Sequence, residues 1–244
     1  MRCTFCKDMN KSGGNTMGIL VFARSSSARL PGKVLLDFAG MPLVIWILQR
    51  AMSINPPLSL ACSSERSDDE LASVVQSAGF QVYRGALDDV LARAISACEH
   101  FCWTHFARLC ADRPFFNLEE IRTGLAHAKL QPTFDLISNN LAGAAPTGLT
   151  TEIIRRDALK RIAELSTLAK HREHLSSYFY DHPSAFQSLP LTVTQLPASI
   201  AAQYFAVDTP ADYQRLHELA AGCSPNVGLT ALLQQKAPDY SHAG

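Results

Sequence analysis

Three serines, two arginines and a lysine crowd into one short stretch near the front of this 244-residue chain, Ala23-Arg24-Ser25-Ser26-Ser27-Ala28-Arg29-Leu30-Pro31-Gly32-Lys33. Small side chains let backbone N–H groups approach phosphate oxygens, and cations offset the charge that builds on them, so a turn of this make-up can cradle a triphosphate. A Ser-rich basic turn can equally be a solvated loop, and its residue types alone do not separate the two. The turn follows an apolar, strand-like run from Gly18 to Ala23 and leads through a short hydrophobic segment into a helix.

Two carboxylates stand in comparable places further along. Asp112 closes Arg108-Leu109-Cys110-Ala111, and Asp208 closes Tyr204-Phe205-Ala206-Val207. Ligands of parallel sheets gather at the carboxyl ends of strands, where two acids could supply the oxygen ligands that Mg2+ prefers. Each acid also has a plainer role. Asp112 can cap the following turn or pair with Arg113, and Asp208-Thr209-Pro210 reads as a helix N-terminus with proline in its first turn.

Two other constellations carry less. Cys98, His100, Cys102, His105 and Cys110 match no regular zinc spacing and point to opposite faces of a helix or strand. His171 and His174 share a helical face but lack a third ligand. Seven cysteines, an odd and scattered set, do not form a disulfide framework. The Cys3/Cys6 pair stands alone in a polar leader, so residues 1–16 read as a disordered extension and Met17 as the start of the first strand.

The 22 basic and 22 acidic residues balance, so no global field favours nucleic acid or an anionic membrane, and any phosphate ligand must be held by a local site. No apolar run approaches the roughly 20 residues of a membrane span, and the N-terminus lacks the apolar core of a signal peptide. The expected setting is cytoplasmic.

Elements that could position these residues alternate along the chain. Helices are expected at Leu43 to Met52, Asp68 to Ala78, Asp88 to His100 and Asn117 to Lys129; strands fall at Leu58 to Cys62, Phe80 to Tyr83, Trp103 to Cys110 and Phe134 to Ser138. Such alternation predicts an α/β fold, a largely parallel sheet with helices on both faces. Beyond residue 140 the pattern changes. A turn-rich link at Gly143 to Pro146 precedes a strand at Leu149 to Arg155 and helices at Arg156 to Ala169 and Arg172 to Tyr180. Strands at Leu189 to Leu196 and Tyr204 to Val207 and a helix at Pro210 to Ala221 follow. One domain over 17–244, with an excursion around 140–196, fits this better than two.

Arg24, Arg29, Leu30, Pro31, Gly32 and Lys33 resemble the A-R-x-x-S-x-R-L-P-G-K loop of the cytidylyltransferases that activate acidic sugars, the acylneuraminate and 3-deoxy-manno-octulosonate cytidylyltransferases. Val34-Leu35-Leu36 and Gly40-Met41-Pro42-Leu43 look like the branch named after spore-coat polysaccharide biosynthesis. The resemblance implies a three-layer α/β/α, nucleotide-diphospho-sugar transferase (Rossmann-like) fold with a mostly parallel mixed sheet. It also implies transfer of CMP from CTP to a hydroxyl of an acidic or otherwise unusual sugar. Arg108-Leu109-Cys110-Ala111-Asp112 resembles R-I-T-G-D, and Val207-Asp208-Thr209-Pro210-Ala211-Asp212 matches V-D-T-P-x-D; in both motifs the aspartate is a metal ligand, here Asp112 and Asp208 for Mg2+. Arg24 and Lys33 then act with these aspartates in catalysis, and Ala23, Ser26, Ser27, Arg29 and Gly32 bind phosphate.

Weaker matches imply further contacts. Ala61 and Ser63 occupy the strand end where the family cradles the pyrimidine, largely through backbone groups. Arg84 belongs to Tyr83-Arg84-Gly85, which with Asp88 to Arg93 resembles R-G-x-x-x-D-V-L-x-R, a loop near the nucleotide. Arg172 and His174, with Tyr178, resemble R-E-H-V-x-x-Y and imply sugar-side contacts, although a satisfied helical histidine is equally in keeping. Relatives commonly pair through the excursion, which implies a homodimer.

Departures are concentrated on the acceptor side. Ser26 and Ala111 replace glycines, Ala28 replaces a serine, and Pro146-Thr147-Gly148-Leu149-Thr150-Thr151-Glu152 stands where the family has P-R-G-L-D-x-E. This pattern points to an unusual acceptor or reduced activity. It also leaves open a non-catalytic nucleotide-binding homologue working with a partner in polysaccharide assembly, or a nucleotidyltransferase using another NTP.

Overall fold

The computed structural model describes residues 16–143, 145–192, 194, 196 and 203–235; the Cys3/Cys6 leader lies outside them. The first strand, β1 (Met17–Phe22), is apolar along its length, as a strand covered on both faces must be. A small hairpin, β2 (Asp37–Phe38) and β3 (Met41–Pro42), leads into α1 (Leu43–Met52). Then follow β4 (Leu58–Ser63), α2 (Asp69–Ser77), β5 (Gln81–Gly85), α3 (Val90–His100), β6 (His105–Cys110), α4 (Leu118–Leu130) and β7 (Leu136–Ser138). The second half holds β8 (Glu152–Arg155), α5 (Arg156–Leu165), α6 (Ala169–Glu173), α7 (Ser177–Asp181), β9 (Ser188–Pro190), α8 (Pro210–Ala220) and α9 (Leu229–Gln235).

Seven strands form one sheet in the order β5-β4-β1-β6-β8-β7-β9. It is mostly parallel: β1 pairs in parallel with β4 and β6, and β4 with β5, while β8 runs antiparallel to both β6 and β7. Alternate side chains of β1 divide between two cores. Ile19 and Val21 pack with residues of α1, α2, α4, α8 and α9, and Leu20 and Phe22 pack with residues of α3, α5 and α7. Helices thus cover both faces, giving the expected α/β/α layers. The chain runs outward from β1 through β4 to β5 and then returns to place β6 on the other side, so a crevice opens at the carboxyl ends of β1 and β6. Register sets Phe22 opposite Ala61 on one side and Cys110 on the other, which brings the turns after β1, β4 and β6 side by side.

Several expected elements differ. The helix expected over 156–169 stops at Leu165, because Ser166 turns extended and its Oγ hydrogen-bonds His171 Nδ1 at 2.6 Å and accepts from Leu168 N–H at 3.3 Å. Local side-chain bonding of this kind competes with the helix ladder. Residues 172–180 consequently divide between two short helices. Of the strand expected at 189–196, the described residues show strand only at Ser188–Pro190, and Thr194 donates its N–H to Glu120 Oε1 at 2.9 Å. Tyr204 to Val207 is not a strand. Phe205 N–H donates to Thr147 O at 2.8 Å and Val207 N–H to Asp112 O at 2.7 Å, so the segment bridges two loops rather than joining the sheet. Among the described residues no helix is long and apolar enough to cross a membrane.

Candidate active site

The turn after β1 closes on itself. Gly32, in the left-handed region at φ 68°, donates its N–H to Ser25 O at 3.1 Å, and Ser27 N–H donates to the same oxygen at 3.0 Å. Only glycine enters that backbone region without strain, so Gly32 is what allows the ring to shut before Lys33. Among the described residues the N–H groups of Arg24, Ser26, Ala28 and Arg29 have no acceptor within the protein, which leaves a string of backbone donors open. That is the make-up of an anion nest.

Asp68 anchors the turn. Fully buried, it accepts from Ser25 N–H at 2.7 Å through Oδ1, and from Ser63 N–H at 2.8 Å and Ser63 Oγ at 2.6 Å through Oδ2. Burial opposes its charge, but the hydrogen bonds from Ser63 and Ser25 outweigh it and hold the carboxyl below the usual aspartate value. One carboxylate therefore joins the phosphate turn to the end of β4.

Two distant segments converge on Lys33. Its Nζ donates to Asp112 Oδ2 at 2.7 Å, to Val207 O at 2.8 Å and to Asp208 Oδ1 at 3.0 Å. Arg29 lies 3.0 Å from the same Asp208 oxygen, and the Tyr204 hydroxyl donates to Asp208 Oδ2. Partial burial of Asp208 is outweighed by Tyr204, Lys33 and Arg29, which keep its carboxyl below the usual range, and the bond to Asp208 pushes the Tyr204 phenol up to about 12. The helix-start alternatives resolve here. Thr209 caps α8, in a capping box with Asp212 and with Pro210 in the first turn, so Asp208 stands one residue outside the helix. Asp112 pairs with Lys33 rather than with Arg113.

These groups line a cleft of about 450 Å³. Its cations are Arg24, Arg29, Lys33, Arg93, Arg108 and Arg113; its carboxylates are Asp112, Glu173 and Asp208; Ala23, Ser27 and His174 also line it. Arg24 reaches across to Glu173 at 3.2 Å, with both side chains about half exposed. Behind the wall, Arg108 donates to buried Glu152 at 2.7 Å, and the Tyr180 hydroxyl donates to the other Glu152 oxygen at 2.8 Å. Burial works against the Glu152 charge, yet Arg108 and Tyr180 hold it below the usual glutamate value.

The remaining expected site residues lie apart from the cleft lining. Ser26 is exposed at the tip of the turn. Ala61 and Ser63 are fully buried, and the Ala61 carbonyl accepts from Ala23 N–H at 3.3 Å. Arg84 braces the turn after β4, donating to Ser63 O at 2.9 Å and Glu65 O at 2.8 Å and pairing with Asp69 at 2.7 Å. Arg172 pins α6 to its neighbours, through Ala163 O at 2.8 Å and Asp89 at 3.4 Å. Of the departures from P-R-G-L-D-x-E, Thr147 is exposed and Thr150 half-buried, while Thr151 beside them is buried and donates its hydroxyl to Glu120 Oε2 at 3.2 Å.

Four residues at the site were not singled out from the sequence: Asp68, Arg93, Arg108 and Glu173. Arg108 left a signal, a charge inside an otherwise apolar strand; Asp68 is masked by the run Asp68-Asp69-Glu70, which reads as a helix start.

Residues 18–240 match the family model described as Cytidylyltransferase. The chain is 27% identical over 231 residues to the spore coat polysaccharide biosynthesis protein SpsF of Bacillus subtilis, covering 90% of this chain and 93% of that one. Among solved structures, a cytidylyltransferase from Leptospira borgpetersenii superposes with a TM-score of 0.82 at 22% identity, covering 91% of this chain and 93% of the other. A CMP:2-keto-3-deoxy-manno-octonic acid synthetase complexed with CTP superposes with a TM-score of 0.63 at 18% identity, covering 84% and 98%. Both share the fold. With a family match over nearly its whole length, this chain belongs to the Cytidylyltransferase family.

Proposed function

We propose that this chain transfers CMP from CTP to a hydroxyl of an acidic or otherwise unusual sugar, giving a CMP-sugar and pyrophosphate for surface polysaccharide or glycan synthesis. The observation that carries the proposal is the convergence of Lys33, Asp112 and Asp208 beside a turn of open backbone donors. The family match, the SpsF likeness and the CTP bound by a relative of the same fold all favour it.

Lys33 Nζ sits among three oxygens, from Asp112, Asp208 and the Val207 carbonyl. A set of hard oxygen donors that already surrounds a cation suits Mg2+, which takes one or two carboxylates and completes its shell with water and phosphate. Among the described residues no group of three acidic, histidine or cysteine side chains converges, in keeping with so sparse a protein share. Asp112 and Asp208 would hold the ion; when bound, it would polarise the α-phosphate and neutralise the triphosphate.

The bond formed joins the sugar oxygen to Pα, and the bond broken joins Pα to the oxygen bridging to Pβ. Transfer of this kind asks the protein for positioning and charge rather than covalent chemistry. Arg24 exchanges Glu173 for phosphate oxygens, while Arg29 and Lys33 turn from Asp208 and Asp112 toward the β- and γ-phosphates and stabilise the departing pyrophosphate. The open N–H groups of the turn orient the same oxygens.

A single domain over 17–244, a homodimer formed through residues 140–196 and a cytoplasmic site of action belong to the same proposal; sedimentation tests the second. The central test is pyrophosphate release with CTP, Mg2+ and a panel of acidic sugars. Turnover on one of them is expected. CTP binding without turnover on any acceptor would favour a non-catalytic homologue, and release from another NTP would move the base assignment.

A further inference from the structure

Asp208 divides its two oxygens between different kinds of donor. Oδ1 accepts from Lys33 Nζ at 3.0 Å and lies 3.0 Å from Arg29 Nη2, whereas Oδ2 takes the Tyr204 hydroxyl. Among the described residues Tyr204 is the one uncharged side chain on this carboxylate. Lys33 also reaches Asp112 at 2.7 Å, so Oδ1 is the oxygen that shares a cation with the second acid, and Tyr204 holds the other.

Tyr204 is itself held. Its carbonyl accepts from Arg215 Nη2 of α8, and Arg215 lies 3.5 Å from Asp212 in the capping box that starts the same helix. The next residue, Phe205, is fully buried and donates its N–H to Thr147 O at 2.8 Å. Val207 is fully buried as well, with Asp112 O on its N–H and Lys33 on its carbonyl. Both ends of the four-residue step from Tyr204 to Asp208 are thus fixed to the frame, and the phenol closes that step into a ring.

Charge decides what this bond can do. In the proposed reaction Lys33 and Arg29 turn to the β- and γ-phosphates, and Asp208 exchanges them for a divalent ion. A cation left on Asp208 would repel that ion, whereas a phenol, neutral near pH 7, can stay. A ligating carboxylate is held in orientation by its own hydrogen bonds. We infer that Tyr204 is a positioning residue for the divalent ion: by holding Oδ2 it keeps Oδ1 directed at the point where Lys33 Nζ now sits, after both cations have left. Tyr204 has this role only if Asp208 ligates the ion in the proposed reaction.

The test measures Mn2+ binding to the full chain, from the loss of the free-ion EPR signal with and without CTP, alongside the Mg2+ dependence of pyrophosphate release. Tyr204→Phe removes only the hydroxyl, at a residue 38% exposed, so the variant should fold, and its melting temperature checks that. Tyr213→Phe is the control, since it removes a hydroxyl from α8 whose acceptor is Asp37 O. Tyr204→Phe should weaken Mn2+ binding by about 10-fold or more and raise the half-saturating Mg2+ by the same factor, with most of the rate restored at saturating Mg2+. Tyr213→Phe should change neither. A hydroxyl that served packing alone would not move the affinity for the ion. Wild-type affinity in Tyr204→Phe, or an equal loss in Tyr213→Phe, overturns the inference and leaves CMP transfer intact. Asp208→Asn tests the reading beneath it: a variant that keeps wild-type Mn2+ affinity overturns the assignment of Asp208 as a ligand, and the role of Tyr204 with it.

Discussion

Lys33 Nζ lies 2.7 Å from Asp112 Oδ2, although the two residues are 79 positions apart, and Asp208 shares the same ammonium from a third segment. Without that cation two carboxylates would face one another across a partly buried gap. The lysine therefore offsets the charge of both acids and helps hold Asp208 below the usual range, and in the proposed reaction it passes to a phosphate.

Lys33→Ala should cut pyrophosphate release by about 100- to 1,000-fold, the usual loss when one preorganised transition-state donor is removed. Asp112→Asn and Asp208→Asn should lose at least as much and should also shift the Mg2+ titration of the residual rate to higher concentration. Aspartate variants that keep full Mg2+-dependent turnover would show that the ion is held elsewhere.

Asp68 ties turn geometry to pH. Its folded value lies below the ordinary aspartate value, so its contribution is fully present above about pH 4 and disappears as pH falls through the depressed value. Asp68→Ala strands the buried N–H groups of Ser25 and Ser63 and should destabilise the fold by about 3 kcal/mol. Urea midpoints measured from pH 7 downward should converge for wild type and Asp68→Asn as the solution becomes acid, and CTP affinity should fall in both variants at neutral pH.

Much of the frame was legible because burial writes itself into periodicity. Leu43 to Met52 is buried at nearly every position and was bounded correctly, and β1 came within one residue at each end. The same signal misled at Tyr204 to Val207, where Phe205 and Val207 are fully buried but bond to loops, since alternation records burial and not ladder pairing. Asp112 and Asp208 could be joined only through motif resemblance, because no periodicity spans so long a separation. Asp68 was out of reach altogether: its partner at Ser25 is a backbone N–H 43 residues away and leaves no mark on side-chain composition.

Glu173 holds Arg24 from the far side of the cleft, with both side chains about half in water. An exposed pair of this kind contributes at most about 1 kcal/mol. Glu173→Gln should therefore lower the melting temperature by no more than about 4 °C and lower the KM for CTP by up to about fivefold, with the gain shrinking as salt is raised. A raised acceptor KM instead would mean that Glu173 holds the sugar.

Gly148 controls where Asp208 stands. It occupies φ +93°, and a Cβ there would lie 2.3 Å from the backbone carbon of Phe205 and 2.8 Å from Ala206 N. Those atoms belong to the segment that Thr147 O and Asp112 O hold in place through Phe205 N–H and Val207 N–H. Backbone cannot swing aside as a side chain can, so Gly148→Ala must displace residues 205–208 and carry Asp208 away from Lys33. We expect a loss of about 3 kcal/mol in stability, with strain from the left-handed backbone adding to the clash, and a fall in kcat beyond what stability explains. Gly79→Ala is the control: at φ +85° it shares the backbone strain, but among the described residues nothing lies within 4 Å of its added Cβ. It should lower the melting temperature modestly and leave kcat untouched. Equal effects of the two substitutions on kcat would mean that close packing at Gly148 does not position the Asp208 carboxylate.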